Sequence, residues 1–230
     1  MDRTDMRRQE RGNALIYVLI AIALFAALSF TLGRQTDTSE VGSLSDEKAQ
    51  LYATQLISYA TQAKSAVDQM LFTASTSIDQ LDFTAPTDAT FETAPLIHKI
   101  YHPQGGGLVP GRLPEPAIVQ VTSDPEPGWY LTRPGNIEWT ASTNDEVVLV
   151  AYQISETVCG LINEKINGAS TIPSMTSSVR NTLIDDALHG GTNVELTTDS
   201  GDICPECANI GSLCMEEGGI YAFYTIIADQ

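Results

Sequence analysis

The four cysteines are the residues whose spacing most directly suggests chemistry. Cys204 and Cys207 form a CxxC pair, a spacing found in redox-active disulfides and in zinc sites. A redox pair of the thioredoxin kind needs a strand before it and a helix that opens at its first cysteine, whereas GDIC here leads into a short loop. A zinc site would need Cys159 and Cys214 to converge on the pair. An even number of cysteines also fits two structural disulfides, with three possible connectivities. We therefore predict structural disulfides and keep zinc and redox chemistry as alternatives.

The other reactive side chains do not form a catalytic pattern. His98 and His102 are four residues apart, but Pro103 and three glycines follow them, so a shared helical face is not expected, and His189 stands beside two more glycines. The glycine run lacks the GK[ST] ending of a phosphate-binding loop. Acidic residues in a loop sometimes hold calcium, and Asp199, Asp202 and Glu206 are the only set suggested here. The sequence predicts no cofactor and no enzymatic activity.

Charge is distributed unevenly along the chain. The sequence has 12 basic and 29 acidic residues, a formal charge of −17. Four of the basic residues are arginines within the first twelve positions, and the chain beyond Arg34 is strongly acidic. A nucleic-acid backbone is bound by clustered Lys and Arg, so nucleic acid is not an expected partner.

A single long apolar run follows the basic N-terminus. Residues Ala14 to Leu32 carry no charge, and as a helix they would span roughly 28 Å, close to the hydrocarbon thickness of a bilayer. Because the arginines precede the run, the positive-inside rule places Met1 in the cytoplasm and the remainder outside. The sequence therefore predicts a single-pass inner-membrane protein with a periplasmic or extracellular C-terminal domain and the lipid bilayer as a partner.

Three fates of this segment are consistent with the sequence: a signal anchor, a cleaved secretory signal with Ala27 and Ser29 as its small residues, or a processed leader. The letters RRQERG followed by NALIYVLIA resemble the N-terminus of the type IV pilin superfamily, which includes the pseudopilins of type II secretion. That resemblance implies cleavage by a prepilin peptidase between Gly12 and Asn13, with the apolar helix retained. It extends to HPQGGG, VCGLIN and GGIYAFYTII, which occur in that order and bring the matched part to about a third of the chain.

The resemblance also implies roles for particular residues. The apolar helix would pack against other pilin-like subunits, through Leu15, Tyr17, Leu19, Ile22 and Phe25. Most of the family has Glu at the fifth mature position, where this chain has Tyr17, and this departure is typical of some minor subunits, notably one at a filament tip. Pilins commonly tie down a C-terminal loop with a disulfide, which implies a bridge from Cys159 to one of the cysteines between positions 204 and 214.

Together with the resemblance to pilins, the rest of the chain predicts an α+β fold in which a long N-terminal helix, with a membrane half and an amphipathic half, packs on a mostly antiparallel sheet with one or two further helices. An apolar stripe of helical spacing, rich in small residues, runs from Leu51 to Leu71 and predicts an amphipathic helix that starts at Ser45. The segments AIVQVTS, GWYLTR, DEVVLVAYQI, TNVELTT and GGIYAFYTIIA predict strands of a mostly antiparallel sheet. ISETVCGLINEKIN predicts a helix that ends at Gly168, and a shorter helix is expected near 177–188, with the helices on one face of the sheet.

Taken together, these patterns predict four segments: a leader over 1–12, a transmembrane helix over 13–32, a linker and helical stalk over 33–72, and an α+β domain over 73–230. The predicted function is that of a minor or tip-like pilin subunit, assembled through its apolar helix into a pilus or pseudopilus. The alternatives are a membrane-anchored binding domain that does not polymerise and a thiol oxidoreductase that uses Cys204 and Cys207.

Overall fold

The computed structural model describes residues 16–26, 39–73, 76–134, 146–184 and 204–229. Contacts divide the chain into two compact units, Met1–Lys48 and Ala49–Gln230. The first unit contains helix α1, which includes residues 16–26. The second contains most of helix α2 (Ser39–Thr73) and all strands. The predicted limit of the globular domain, at residue 73, therefore differs from the unit boundary, which lies within α2.

No helix among the described residues is both long and apolar enough to cross a bilayer. The described part of the apolar run, residues 16–26, accounts for about 16 Å of helix, roughly half the hydrocarbon thickness. Helix α2 is long enough but carries charged side chains, among them Lys64 and Asp68. The predicted inner-membrane, single-pass localisation, with its cytoplasmic N-terminus and periplasmic domain, is contradicted by this finding.

Four antiparallel strands form the sheet in the order β1-β2-β4-β3. They are β1 (Gly128–Thr132), β2 (Val147–Ile154), β3 (Ser212–Glu217) and β4 (Ile220–Ala228). Every residue of β2, including Gln153, is buried, because other elements cover this central strand on both faces. The predicted α+β class with an antiparallel sheet is confirmed.

The first face of the sheet carries the main hydrophobic core. The stripe of α2 predicted from the sequence provides Ala53, Leu56, Ala60, Ala63, Val67 and Met70 to the buried cluster that also holds Leu149, Phe223 and Ile227 of the sheet. Helix α3 (Glu156–Asn167) adds Val158 and Ile162. Ser155 caps the start of α3, and Gly168 ends it with a φ of 78°, a left-handed conformation that glycine adopts without steric cost.

Helices lie on both faces of the sheet, which corrects the prediction that they share one face. Helix α4 (Val179–Leu183) and the short 3₁₀ turn Pro205–Cys207 belong to a second buried cluster, built on Val150, Tyr152 and Tyr224. From Val147 to Tyr152 the odd and even residues of β2 therefore contact different layers, since side chains alternate across a strand, and the alternation ends at the irregularity between Tyr152 and Ile154.

Three further predictions differ from the structure. Helix α2 begins at Ser39, so Ser45 lies within it rather than capping it. The predicted strand over 117–123 is a 3₁₀ turn, Glu115–Ala117, followed by one bridge between Ile118 and Ile154. Strand β3 was not predicted. The predicted strand over 192–198, and the join between the two halves of the long N-terminal helix, lie outside the described residues.

Candidate functional site

The described residues of helix α1 form an exposed apolar surface. All residues from 16 to 26 are exposed, and the large apolar ones include Tyr17, Leu19, Ile22 and Phe25, with exposures of 68, 60, 60 and 75%. Soluble monomers rarely expose a contiguous apolar surface of this kind, and when they do it usually marks an interaction site. Of the other predicted residues in this region, Gly12, Asn13 and Leu15 lie outside the described residues.

The cysteines form two disulfides. Cys159 of α3 is bonded to Cys214 of β3, and Cys204 is bonded to Cys207 within one turn. The first bond lies in the cluster on the first face of the sheet and the second bond in the cluster on the opposite face. The pairing ties α3 to the sheet, and the cysteines do not converge on one point as a zinc site would require.

The CxxC pair lacks the surroundings of a redox centre. Cys207 is completely buried and Cys204 nearly so, whereas a redox-active pair has an accessible sulfur. The turn that holds them is a three-residue 3₁₀ helix, too short to supply the helix N-terminus that activates such thiols. Because both cysteines lie in the second buried cluster, we interpret the Cys204–Cys207 bond as structural.

Asn163 of α3 stabilises the outer edge of the sheet. Its side-chain oxygen accepts from the backbone N–H of Cys214 at 2.7 Å, and its Nδ2 donates to the Cys214 carbonyl at 2.8 Å. The same amide group donates to the Thr171 carbonyl at 2.8 Å. Asn163 is buried, so one side chain replaces a missing neighbouring strand at the position of the disulfide.

Other outward-facing groups of β3, at Ser212 and Glu216, also have partners. Asn167 donates from Nδ2 to the Ser212 carbonyl at 3.2 Å. Further along the strand, the Glu216 N–H donates to the Pro173 carbonyl at 2.9 Å, and the Glu216 carbonyl accepts from Met175 N–H at 2.8 Å. Edge strands with unpaired backbone groups recruit other strands, and these contacts close that possibility at β3.

The glycine run supports packing rather than phosphate binding. A Cβ on Gly105 would lie only 2.1 Å from the Lys99 carbonyl oxygen, and one on Gly106 would lie 2.6 Å from that of Ile100. Lys99 is buried, and its ammonium donates to the carbonyls of Thr90 and Phe91. The loop is therefore folded around a lysine that no sequence pattern marks.

The histidines do not share a ligand face. His102 is buried, with Nδ1 accepting from the Gln104 N–H at 3.1 Å and Nε2 3.4 Å from a carboxylate oxygen of Glu92. His98 is half-buried in a separate 3₁₀ turn, and His189 lies outside the described residues. Of the calcium candidates, only Glu206 is described, and it is exposed. Within the described ranges no group of three or more His, Cys, Asp and Glu could hold a metal ion.

Two buried polar contacts were not foreseen from the sequence. Gln153 at the end of β2 has a φ of 62° and is fully buried. Its amide donates to the carbonyls of Thr122 and Pro125, each at 2.9 Å. On the other side of β1, the Tyr59 hydroxyl accepts from the Gly111 N–H at 2.8 Å, and burial raises the pKa of Tyr59. The Gln153 contacts fix a loop to the sheet and the Tyr59 contact fixes a loop to α2, and neither follows a spacing that a sequence pattern detects.

Comparison with known proteins supplies no relative: no protein-family model, no curated protein and no solved structure matches the chain.

Proposed function

We propose that this chain is a pilin-like structural subunit that assembles with other subunits through the apolar segment containing α1. The observation that carries the proposal is the exposure of every residue from 16 to 26, none of which is charged. Burying that surface against similar helices would contribute about 25 cal/mol for each Å² of apolar area removed from water. The subunit has a mechanical role, and neither enzymatic chemistry nor nucleic-acid binding is part of it.

The second unit suits a domain displayed on an assembly. Two disulfides, a capped β3 edge and an α2 helix with its apolar stripe in the core give it a closed, cross-linked structure. In this proposal α1 and α2 correspond to the two halves of the long first helix of a pilin. The disulfides cross-link the second unit and would hold its shape under load in an assembly.

The residue at position 17 supports a minor or tip position of this subunit in the assembly. In the pilin superfamily, the fifth mature residue is usually a Glu that balances the terminal amine of a neighbouring subunit. Tyr17 is uncharged and exposed, so it cannot provide that balance. The partners in this proposal are other pilin-like subunits and the prepilin peptidase, and the chain would occupy a position with no neighbour above it.

The first test is the intact mass and N-terminal sequence of the protein purified from its native cells. A new N-terminus at Asn13 is expected, because the leader resembles that of prepilins and ends at Gly12. An N-methylated Asn13 would add specific support. An intact Met1 would contradict processing and favour a binding domain that does not polymerise, and a start near Phe30 would indicate ordinary secretion.

The second test changes the α1 surface directly. Leu19→Asp and Ile22→Asp each place a charge in the proposed packing surface, so co-purification with other pilin-like subunits should be lost. Gln120→Asp adds the same charge at an exposed loop position and should leave co-purification unchanged. Equal recovery of partners by all three variants would contradict the proposed role of α1.

A further inference from the structure

The solvent-facing side of α2 has an ordered pattern of its own. Starting at Leu51, exposed residues recur at alternating steps of four and three, which is the spacing of a continuous helix–helix contact. This stripe, here called the α2 seam, consists of Leu51, Gln55, Ser58, Gln62, Ser65, Gln69 and Phe72. Large apolar residues stand at its two ends, where Leu51 is 54% exposed and Phe72 is 92% exposed.

The seam is uncharged, although the chain as a whole is strongly acidic. Between Ala49 and Thr73 the only charged residues are Lys64 and Asp68, and both lie beside the seam. They face each other at 3.9 Å. Copies of a chain with a formal charge of −17 repel one another, so a contact between copies needs a surface free of acidic residues. The α2 seam meets that condition over about 33 Å of helix.

Hydroxyl groups on this side of α2 already have partners within the helix. Thr54, Thr61 and Ser65 each donate to the carbonyl four residues earlier, at 2.8 to 2.9 Å. Gln62 donates from Nε2 to the Ser58 hydroxyl at 3.3 Å. A polar group that keeps its hydrogen bond when water leaves avoids the main cost of burial. Ser58, Gln62 and Ser65 of the seam therefore keep a hydrogen bond when water leaves, and the remaining amide groups of Gln55, Gln62 and Gln69 would pair with the facing copy.

The seam is also nearly symmetric about its centre, so an antiparallel second copy would place each of its two exposed apolar ends against an apolar residue. The order Leu-Gln-Ser-Gln-Ser-Gln-Phe is the same in both directions except that Leu and Phe exchange places. We propose that a second copy of this chain docks here, with the two α2 helices antiparallel about a two-fold axis at Gln62. That arrangement sets Leu51 against Phe72 of the second copy, and Ser58 against its Ser65.

The charges beside the seam favour this orientation over a parallel pair. In a parallel pair in register, the two Asp68 side chains lie at the same position along the helix axis, as do the two Lys64 side chains. In the antiparallel pair the two Asp68 positions are about 19 Å apart along the axis, at a rise of about 1.5 Å per residue. Separation of like charges lowers the repulsion between copies, because Coulomb energy falls with distance.

Single cysteines in the full chain test the contact and its direction. All four native cysteines are in disulfides, so an added cysteine is the reactive thiol. With a short bis-maleimide, Gln62→Cys should give a cross-linked dimer, because the axis brings the two copies of position 62 together. A mixture of Ser58→Cys and Ser65→Cys chains should also cross-link, whereas each of these alone should not. Glu164→Cys, exposed on α3, is the matched control and should remain monomeric on a denaturing gel.

Each outcome has a definite meaning. A dimer from Ser58→Cys alone would overturn the antiparallel arrangement in favour of a parallel one. Absence of a dimer from Gln62→Cys would overturn the interface. The inference does not depend on the proposed function, because Leu19→Asp combined with Gln62→Cys should abolish co-purification with pilin-like subunits and still give the cross-linked dimer.

Discussion

Asn163 shows how one buried side chain can complete a sheet. The strand β3 has a neighbour on one side only, and the amide of Asn163 satisfies both the N–H and the carbonyl of Cys214 on the other side. A buried backbone group that loses its partner costs as much as a lost hydrogen bond. The residue therefore ties α3 to the sheet at the same point as the Cys159–Cys214 disulfide.

Asn163→Ala should consequently destabilise the protein strongly. The change leaves the N–H and carbonyl of Cys214 without partners in the core, and we expect the free energy of unfolding to fall by about 2–4 kcal/mol. Asn167→Ala is the matched control: this exposed residue makes one contact, to Ser212, and its loss should cost about 0.5 kcal/mol. Urea unfolding without reductant, monitored by circular dichroism, measures both free energies. Equal effects would show that the contacts of Asn163 with Cys214 stabilise the protein no more than the single contact of Asn167.

Residue-level features varied in how far the sequence could predict them. The helix end at Gly168 followed from the position of a glycine after a helical pattern, and the structure confirms it. Asn163 could not be recognised, because an Asn inside a helix is usually solvent-exposed, and its partner Cys214 is far along the chain. The same holds for Lys99 and Gln153, whose burial depends on loops with no sequence periodicity.

At the level of elements, the strength of the local pattern decided what was predictable. Strand β2 and the stripe of α2 have long, regular patterns, and both are present as predicted except that Leu51, at the start of the predicted stripe, is exposed on the opposite side of the helix. Strand β3 has the sequence SLCMEE, which lacks β-branched residues, so its conformation depends on pairing with β4 and on Asn163. The segment over 117–123 has strand-like residues, but Pro114 and Pro116 place a 3₁₀ turn at its start, and Gln153 holds its end as a loop.

The two disulfides connect elements at very different distances in sequence, and they should differ in their effect on stability. Cys159–Cys214 closes a separation of 55 residues, whereas Cys204–Cys207 closes a separation of 3. From loop-closure entropy alone, removing them should cost roughly 4 and about 2 kcal/mol respectively. The paired variants Cys159→Ala with Cys214→Ala, and Cys204→Ala with Cys207→Ala, can be compared by thermal unfolding. A larger loss for the second pair would mean that the second core depends on its bond.

At the level of the whole molecule, stability and assembly are carried by different parts of the chain. All buried residues of the described chain lie at or beyond Ala49, while the exposed apolar helix α1 lies well before it. The proposed filament contact thus adds nothing to the core of the second unit. The α2 seam, in contrast, lies on the outside of a helix whose inner side forms part of that core.

This division predicts the behaviour of a shortened chain that begins at Ser39. It retains α2, the sheet and both disulfides, so its unfolding midpoint should stay within about 2 °C of the full chain. It lacks α1, so it should no longer co-purify with pilin-like subunits. With Gln62→Cys added, it should still form the antiparallel cross-linked dimer, because the whole α2 seam is present. A large drop in the midpoint would show that residues before Ser39 stabilise the second unit, and loss of the dimer alone would place the contact between copies in α1.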